Sequence, residues 1–138
     1  MKRSLFIACL FCLCATTTLS ACMGYADWRY DDLPGRYSII RINGRNISLC
    51  IDENEYLSDA VVGPFITEVA YNDDYIFVKK VDAPKESRYL DTTNPEYYIV
   101  DVASGEVTGP LTHNEYSEEV ELFNFQIELE WHKTTNLR

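Results

Sequence analysis

Hydrophobic and polar positions change rhythm several times along this chain, and each change marks an element. Leu5 to Leu19 is an apolar run behind Lys2 and Arg3, diluted by Thr16, Thr17 and Thr18. It falls short of the ~20 apolar residues that a membrane-spanning helix needs. Met23 to Leu33 mixes Tyr25, Trp28 and Tyr30 with Asp27, Asp31 and Asp32, the pattern of a tether some of whose aromatics dock on the domain that follows. Pro34-Gly35 opens that domain. Tyr37 to Ile42 and Ile47 to Ile51 then flank Asn43-Gly44, the pair best suited to a two-residue hairpin turn with positive φ. Pairing Ile42 with Arg45 puts Ile40, Ile42, Ile47, Leu49 and Ile51 on one apolar face. Cys50 falls on the other, opposite Tyr37.

A second hairpin is predicted from Phe65 to Val81, turning at Asn72-Asp73-Asp74. Val69 would face Phe77, Phe65 would face Val81, and Glu68 would approach Lys80 as a cross-strand pair. Asp82 to Glu96 carries Pro84 and Pro95 without a period and reads as a long polar loop. Tyr97 to Val102 forms a third strand, which Ala103-Ser104-Gly105 turns into Glu106-Val107-Thr108, with Gly109-Pro110 ending the pairing. Thr112 and Glu115 stand at capping-box spacing, with Leu111 and Tyr116 placed for a hydrophobic staple. Tyr116, Val120 and Phe123 follow at helical spacing, so a helix is expected to run to about Phe123. From Phe125 the period becomes two: Phe125, Ile127, Leu129 and Trp131 against Gln126, Glu128, Glu130 and His132, the mark of a last strand.

These elements predict a mainly β domain of α+β class, an antiparallel β-meander with one helix before the last strand. A two-sheet β-sandwich is the alternative.

The first rhythm is explained by what ends it. Leu19-Ser20-Ala21-Cys22 puts two small residues before a cysteine directly after the apolar run, and this resembles the lipobox of bacterial lipoproteins. That resemblance implies a signal peptide over residues 1–21 and a lipid (diacylglycerol, often with a further acyl chain such as palmitate) on Cys22. Two acyl chains suffice for stable anchoring. It also implies an exported protein at the bacterial cell membrane or outer membrane, with 22–33 as tether and 34–138 as a single globular domain.

Charge and cysteine content follow from the same cut. Removing residues 1–21 takes Lys2 and Arg3 from the 12 basic side chains and nothing from the 22 acidic ones, leaving a mature net charge of about −12. Nucleic acid and anionic headgroups are thereby disfavoured as ligands; the charge is compatible with a basic protein partner, beside the commoner reading that it serves solubility alone. Cys9, Cys12 and Cys14 leave with the signal and Cys22 is used for lipid. Cys50 remains as the single thiol, so the mature fold cannot rest on an intramolecular disulfide.

Catalytic motifs are missing: there is no HExxH, paired CxxC, Gly-rich phosphate loop or GxSxG, and no cofactor signature. Asp52-Glu53-Asn54-Glu55 lacks the glycine and closing glutamate of an EF-hand loop, and reads as a solvated connection. A Cys50–His113 or Cys50–His132 nucleophile pair is open on spacing alone, beside the plainer reading of Cys50 as a small strand residue. Among the ten tyrosines, most serve sheet and core; Tyr56, Tyr89, Tyr98 and Tyr116 are the candidate binding aromatics where they stand exposed.

Four stretches together resemble a family of small bacterial lipoproteins classed only as a domain of unknown function. They are the lipobox, Leu33-Pro34-Gly35-Arg36-Tyr37, Glu68-Val69-Ala70-Tyr71-Asn72-Asp73-Asp74-Tyr75-Ile76, and Tyr97-Tyr98-Ile99-Val100-Asp101 with Gly109-Pro110-Leu111-Thr112. The resemblance implies location and a β-rich domain, and brings no catalytic residues. The expected function is a membrane-anchored, non-enzymatic binding or inhibitory domain at the cell envelope. An envelope hydrolase with an unrecognised site, or a structural accessory of an envelope complex, are the alternatives.

Overall fold

The computed structural model describes residues 27–42, 45–53, 56–84, 89–123 and 129–137, apart from the side chains of 53 and 56–59. Cys22 and the segment before it lie outside these residues.

Two antiparallel sheets account for most of the described chain. The first is four-stranded, in the order β1 (Trp28–Tyr30), β2 (Tyr37–Ile42), β3 (Asn46–Glu53), β4 (Tyr56–Val62). The second runs β8 (Val107–Leu111), β7 (Asp91–Asp101), β6 (Tyr75–Asp82), β5 (Ile66–Tyr71), β9 (His132–Lys133). Within each sheet, consecutive strands are neighbours, so each is a meander, and β9 returns to the edge beside β5. One α-helix, α1 (His113–Leu122), follows β8.

Alternation along the second sheet serves two cores. Val69, Ile76, Val78 and Val100 point toward the first sheet and meet Tyr37, Ile39, Leu49 and Val62. Their neighbours Ala70, Phe77, Tyr97 and Ile99 point the other way and are covered by Tyr116 of α1. Strands buried on both faces lose the apolar–polar alternation, which is why β6 opens Tyr-Ile-Phe-Val. Full burial of each such side chain contributes about 1.5–3 kcal/mol, so the layered order of sheet, sheet and helix is set by these positions. Tyr30 and Tyr71 join the two sheets through their hydroxyls, 2.8 Å apart.

The helix forms as its sequence predicts. Thr112 is the N-cap, Glu115 N donates to its hydroxyl, and the Glu115 carboxylate accepts from Thr112 N at 2.8 Å. Phe123 is the C-cap.

Several strand expectations are corrected. In the first hairpin Ile42 pairs with Asn46, not Arg45, so the connection spans residues 43–45, with 43–44 outside the described residues. Ile39 and Ile40 are both apolar and leave either parity available, and a three-residue loop is the next commonest hairpin connection. Ile47, Leu49 and Ile51 keep one face, joined by Tyr37 and Ile39 in place of Ile40 and Ile42, and Cys50 lies opposite Ser38. In the second hairpin Val69 pairs with Val78, one residue off, because Asn72 Oδ1 accepts from both Asp74 N and Tyr75 N and closes a longer turn. A shift between Ile66 and Glu68 then restores the expected match at the far end, where Val81 N donates to Phe65 O at 3.1 Å. Glu68 consequently meets Lys79 and not Lys80.

Element boundaries also move. Trp28–Tyr30, assigned by pattern to the tether, pairs with β2, and Trp28 and Tyr30 pack on the first core. β4 has no sequence counterpart; its pairing with β3 is broken by two register shifts, which erase a simple period. Asp91–Glu96 belongs to β7 despite Pro95, beside a shift between Lys80 and Asp82 of the kind that tolerates proline. β8 continues through Gly109-Pro110 to Leu111 by a shift between Tyr97 and Ile99. The last strand is His132–Lys133, later than expected; residues 124–128 lie outside the described residues, and Leu129 and Trp131 pack on the second core without pairing.

Candidate functional site

The aromatic residues singled out by sequence separate into different environments. Tyr89 is 83% exposed. Tyr98 is half-buried, donates to Glu96 Oε2 at 3.0 Å, and its phenol is pushed up to about 12, first by burial and then by that carboxylate. Tyr116 lies in the second core, stacked on Tyr97 with ring centroids 4.8 Å apart, so its ring is not open to a partner. Tyr56 is in β4, and its side chain is outside the described residues, as is Cys22.

Cys50 is buried on the outer face of the first sheet. Burial pushes its thiol up, Asp52 adds to this, and Arg29 opposes it. His113 packs on Tyr97 and His132 on Tyr71, both in the second sheet. The groups acting on the thiol are therefore Asp52 and Arg29, not a histidine, and a thiol kept neutral is a poor nucleophile. Ser38 Oγ, across from it, is buried with no hydrogen-bond partner among the described residues. No group of three His, Cys, Asp or Glu among the described residues is arranged to hold a metal.

A different set of residues forms a cleft. The 101–106 turn brings Asp101 and Glu106 together: Asp101 N donates to Glu106 O at 2.9 Å, and Gly105 N donates to Asp101 O at 2.9 Å. Ser104 N donates to Asp101 Oδ1 at 2.7 Å, and this bond holds the Asp101 carboxyl below the usual carboxylate range. The β6–β7 register places Tyr75 opposite Asp101. The end of α1 lays Phe123 on Tyr75, ring centroids 4.8 Å apart and tilted by 41°. With Ile99 and Thr108 these residues enclose about 240 Å³. Leu122 and Phe123 are exposed apolar side chains at the end of α1 that borders the cleft.

The cleft thus offers two carboxylates, groups that accept charged hydrogen bonds, beside two aromatic rings, groups whose faces attract cations, with Ile99 as the apolar part of the lining. Sequence reading missed the cleft. The turn predicted at Ala103-Ser104-Gly105 does juxtapose Asp101 and Glu106, but Tyr75 joins them only through the β6–β7 register, and Phe123 was expected to face inward.

A family model described as Protein of unknown function (DUF3997) matches residues 34–135. Nothing matches among curated proteins or among solved structures. Among the described residues, no helix is long and apolar enough to cross a membrane.

Proposed function

The chain belongs to this family of proteins of unknown function, and from its Leu19-Ser20-Ala21-Cys22 stretch we propose that it is an exported lipoprotein. In this reading it is held at the bacterial envelope through lipid on Cys22, and it binds, and by binding inhibits, a basic protein partner. The observation that carries the binding part is the cleft of Tyr75, Asp101, Glu106 and Phe123 in a chain with a net charge of −10 before processing. The lipid would set such a field beside the envelope, where it raises encounter rates with basic macromolecules.

Magnitudes decide how the cleft is used. An exposed ion pair contributes about 0.2–1 kcal/mol and a cation–π contact at an exposed site about 0.5–1 kcal/mol. One basic side chain in the cleft therefore orients a partner without holding it. Apolar contacts at Leu122 and Phe123, at the end of the helix beside the cleft, supply the rest.

The test is titration of the full lipidated chain against a panel of basic and acidic envelope proteins at two salt concentrations. The reading expects hits among the basic proteins, association that slows with salt, and weaker binding by the Asp101→Asn, Glu106→Gln double variant. Hits confined to acidic or neutral proteins, or rates indifferent to salt, would end it. Mass spectrometry of membrane-extracted protein should find a diacylglycerol-bearing Cys22 as first residue; a mature form starting elsewhere would remove the anchor from the account.

A further inference from the structure

The strand nearest Cys22 also closes one edge of the first sheet. β1 is three residues long, pairs with β2 alone, and precedes residues 34–135, which the family model covers. Its side chains fasten it on two faces. Trp28 and Tyr30 turn inward and pack on the first core, and the Tyr30 hydroxyl meets that of Tyr71 in the second sheet at 2.8 Å. Arg29 turns outward, and its guanidinium donates to the carboxylates of Asp31 and Asp52.

The contact with Asp52 crosses a strand. Arg29 lies level with Ile40 of β2, whereas Asp52 lies level with Arg36, whose carbonyl accepts from Asp52 N at 2.8 Å. The span from Arg29 to Asp52 therefore passes over Ser38, the partner of Cys50 in the β2–β3 register. Ser38 is 0% and Cys50 8% exposed, and Arg29 and Asp52 are the charged groups that act on the Cys50 thiol. Departure of β1 would take the guanidinium away from both.

Chain length gives the same strand a second consequence. With β1 in place, residues 23–27 separate Cys22 from the sheet, a reach of at most ~20 Å. With β1 released, the chain is held again at Leu33, which is buried in the first core, and the reach rises to ~38 Å. A short edge strand is the kind of element that opens locally while the rest of a domain stays folded.

We propose that β1 is a strap: docked, it holds the domain close to the lipid on Cys22 and covers Cys50; released, it lets the domain stand farther from the membrane and uncovers that thiol. The distance part rests on the lipoprotein reading, and the covering of Cys50 does not.

The test treats the full chain in zwitterionic nanodiscs with a maleimide and follows the label on Cys50 by peptide mass spectrometry. Trp28→Ala with Tyr30→Phe loosens the strand from the face opposite Cys50, so it reaches the thiol only by moving β1. Labelling should be about tenfold faster than in the parent, and faster than the change in global unfolding measured in urea allows. Arg29 lowers the thiol's pKa, so its departure slows the intrinsic reaction and a faster label reports uncovering. Tyr30→Phe alone repeats the test should the double variant not fold. On a supported zwitterionic bilayer, neutron reflectometry should find the domain of the Trp28→Ser, Arg29→Gln, Tyr30→Ser variant farther out, by up to ~18 Å. A label no faster than in the parent, one that tracks global unfolding, or a triple variant at the parent's height would overturn the proposal. An unlipidated Cys22, read by intact mass in the same sample, would overturn the lipoprotein reading and the distance part with it, and leave the labelling to decide the strap.

Discussion

Replacing Tyr116 by alanine tests the layered architecture at the point where the helix is fastened. Tyr116 is 8% exposed, stacks on Tyr97 at 4.8 Å, and meets Phe77 edge-on at 6.2 Å and Trp131 at 6.1 Å. Truncating a core aromatic costs about 3–5 kcal/mol, and each aromatic pair adds about 0.5–1.5 kcal/mol beyond area burial. The expected loss is thus about 4 kcal/mol, a large share of the ~5–15 kcal/mol that holds a domain together. Tyr116→Phe keeps every ring contact and should lose less than about 1 kcal/mol. The assay is urea unfolding of the full chain followed by far-ultraviolet circular dichroism, with Tyr116→Leu as an intermediate should the alanine variant not fold. A Tyr116→Ala loss below about 1 kcal/mol would mean that α1 does not cover the second sheet through this ring, and the three-layer account would be wrong.

Other outcomes follow from the same contacts. The phenols of Tyr30, Tyr98 and Tyr116 are each raised from 10.0 to about 12, Tyr30 chiefly by its hydrogen bond to Tyr71 and the other two chiefly by burial. Their neutral forms favour the fold, so this stability is complete below pH 10.0 and is lost as pH rises toward about 12. Phenolate absorbance should show a late-titrating class over the same window in which unfolding free energy falls; ionisation of all tyrosines at the ordinary value would contradict this. Thr112→Ala removes the capping oxygen and should cost about 1 kcal/mol in urea unfolding, with Thr112→Ser recovering most of it. At Gly109, φ is 141° and an added Cβ would lie 2.7 Å from Tyr98 Cδ1 and 2.8 Å from Tyr97 O. Gly109→Ala should therefore cost about 1–3 kcal/mol, read as a lowered melting temperature, and an unchanged melting temperature would refute the close approach.

What could be read from the sequence depended on how local the signal was. The α1 cap needed only Thr112 and Glu115, four residues of chain, and formed as expected. The β-rich class needed only the period-two stretches. Register was harder. Ile39 beside Ile40 offers an apolar residue to either face, and the core between the sheets took Ile39. Bulges at Cys50, Glu68 and Asp82 shift parity without leaving a mark that alternation can detect, so β4 was missed and the first part of β7 was read as loop. The cleft was half legible: one turn joins Asp101 to Glu106, but Tyr75 and Phe123 arrive through pairing and helix docking. Tyr116, a candidate only where exposed, is buried in the second core, as its helical spacing and staple position also allowed.

The central claim is that a basic partner is read by the cleft of Tyr75, Asp101, Glu106 and Phe123. Chemical-shift mapping of the isotope-labelled full chain in nanodiscs, titrated with a lysine-rich peptide at low salt, tests it most directly. The largest shifts are expected at the amides of Tyr75, Asp101, Glu106 and Thr108, and they should vanish in the Asp101→Asn, Glu106→Gln double variant. Shifts spread over the acidic surface at large, or a double variant that responds like the parent, would contradict it.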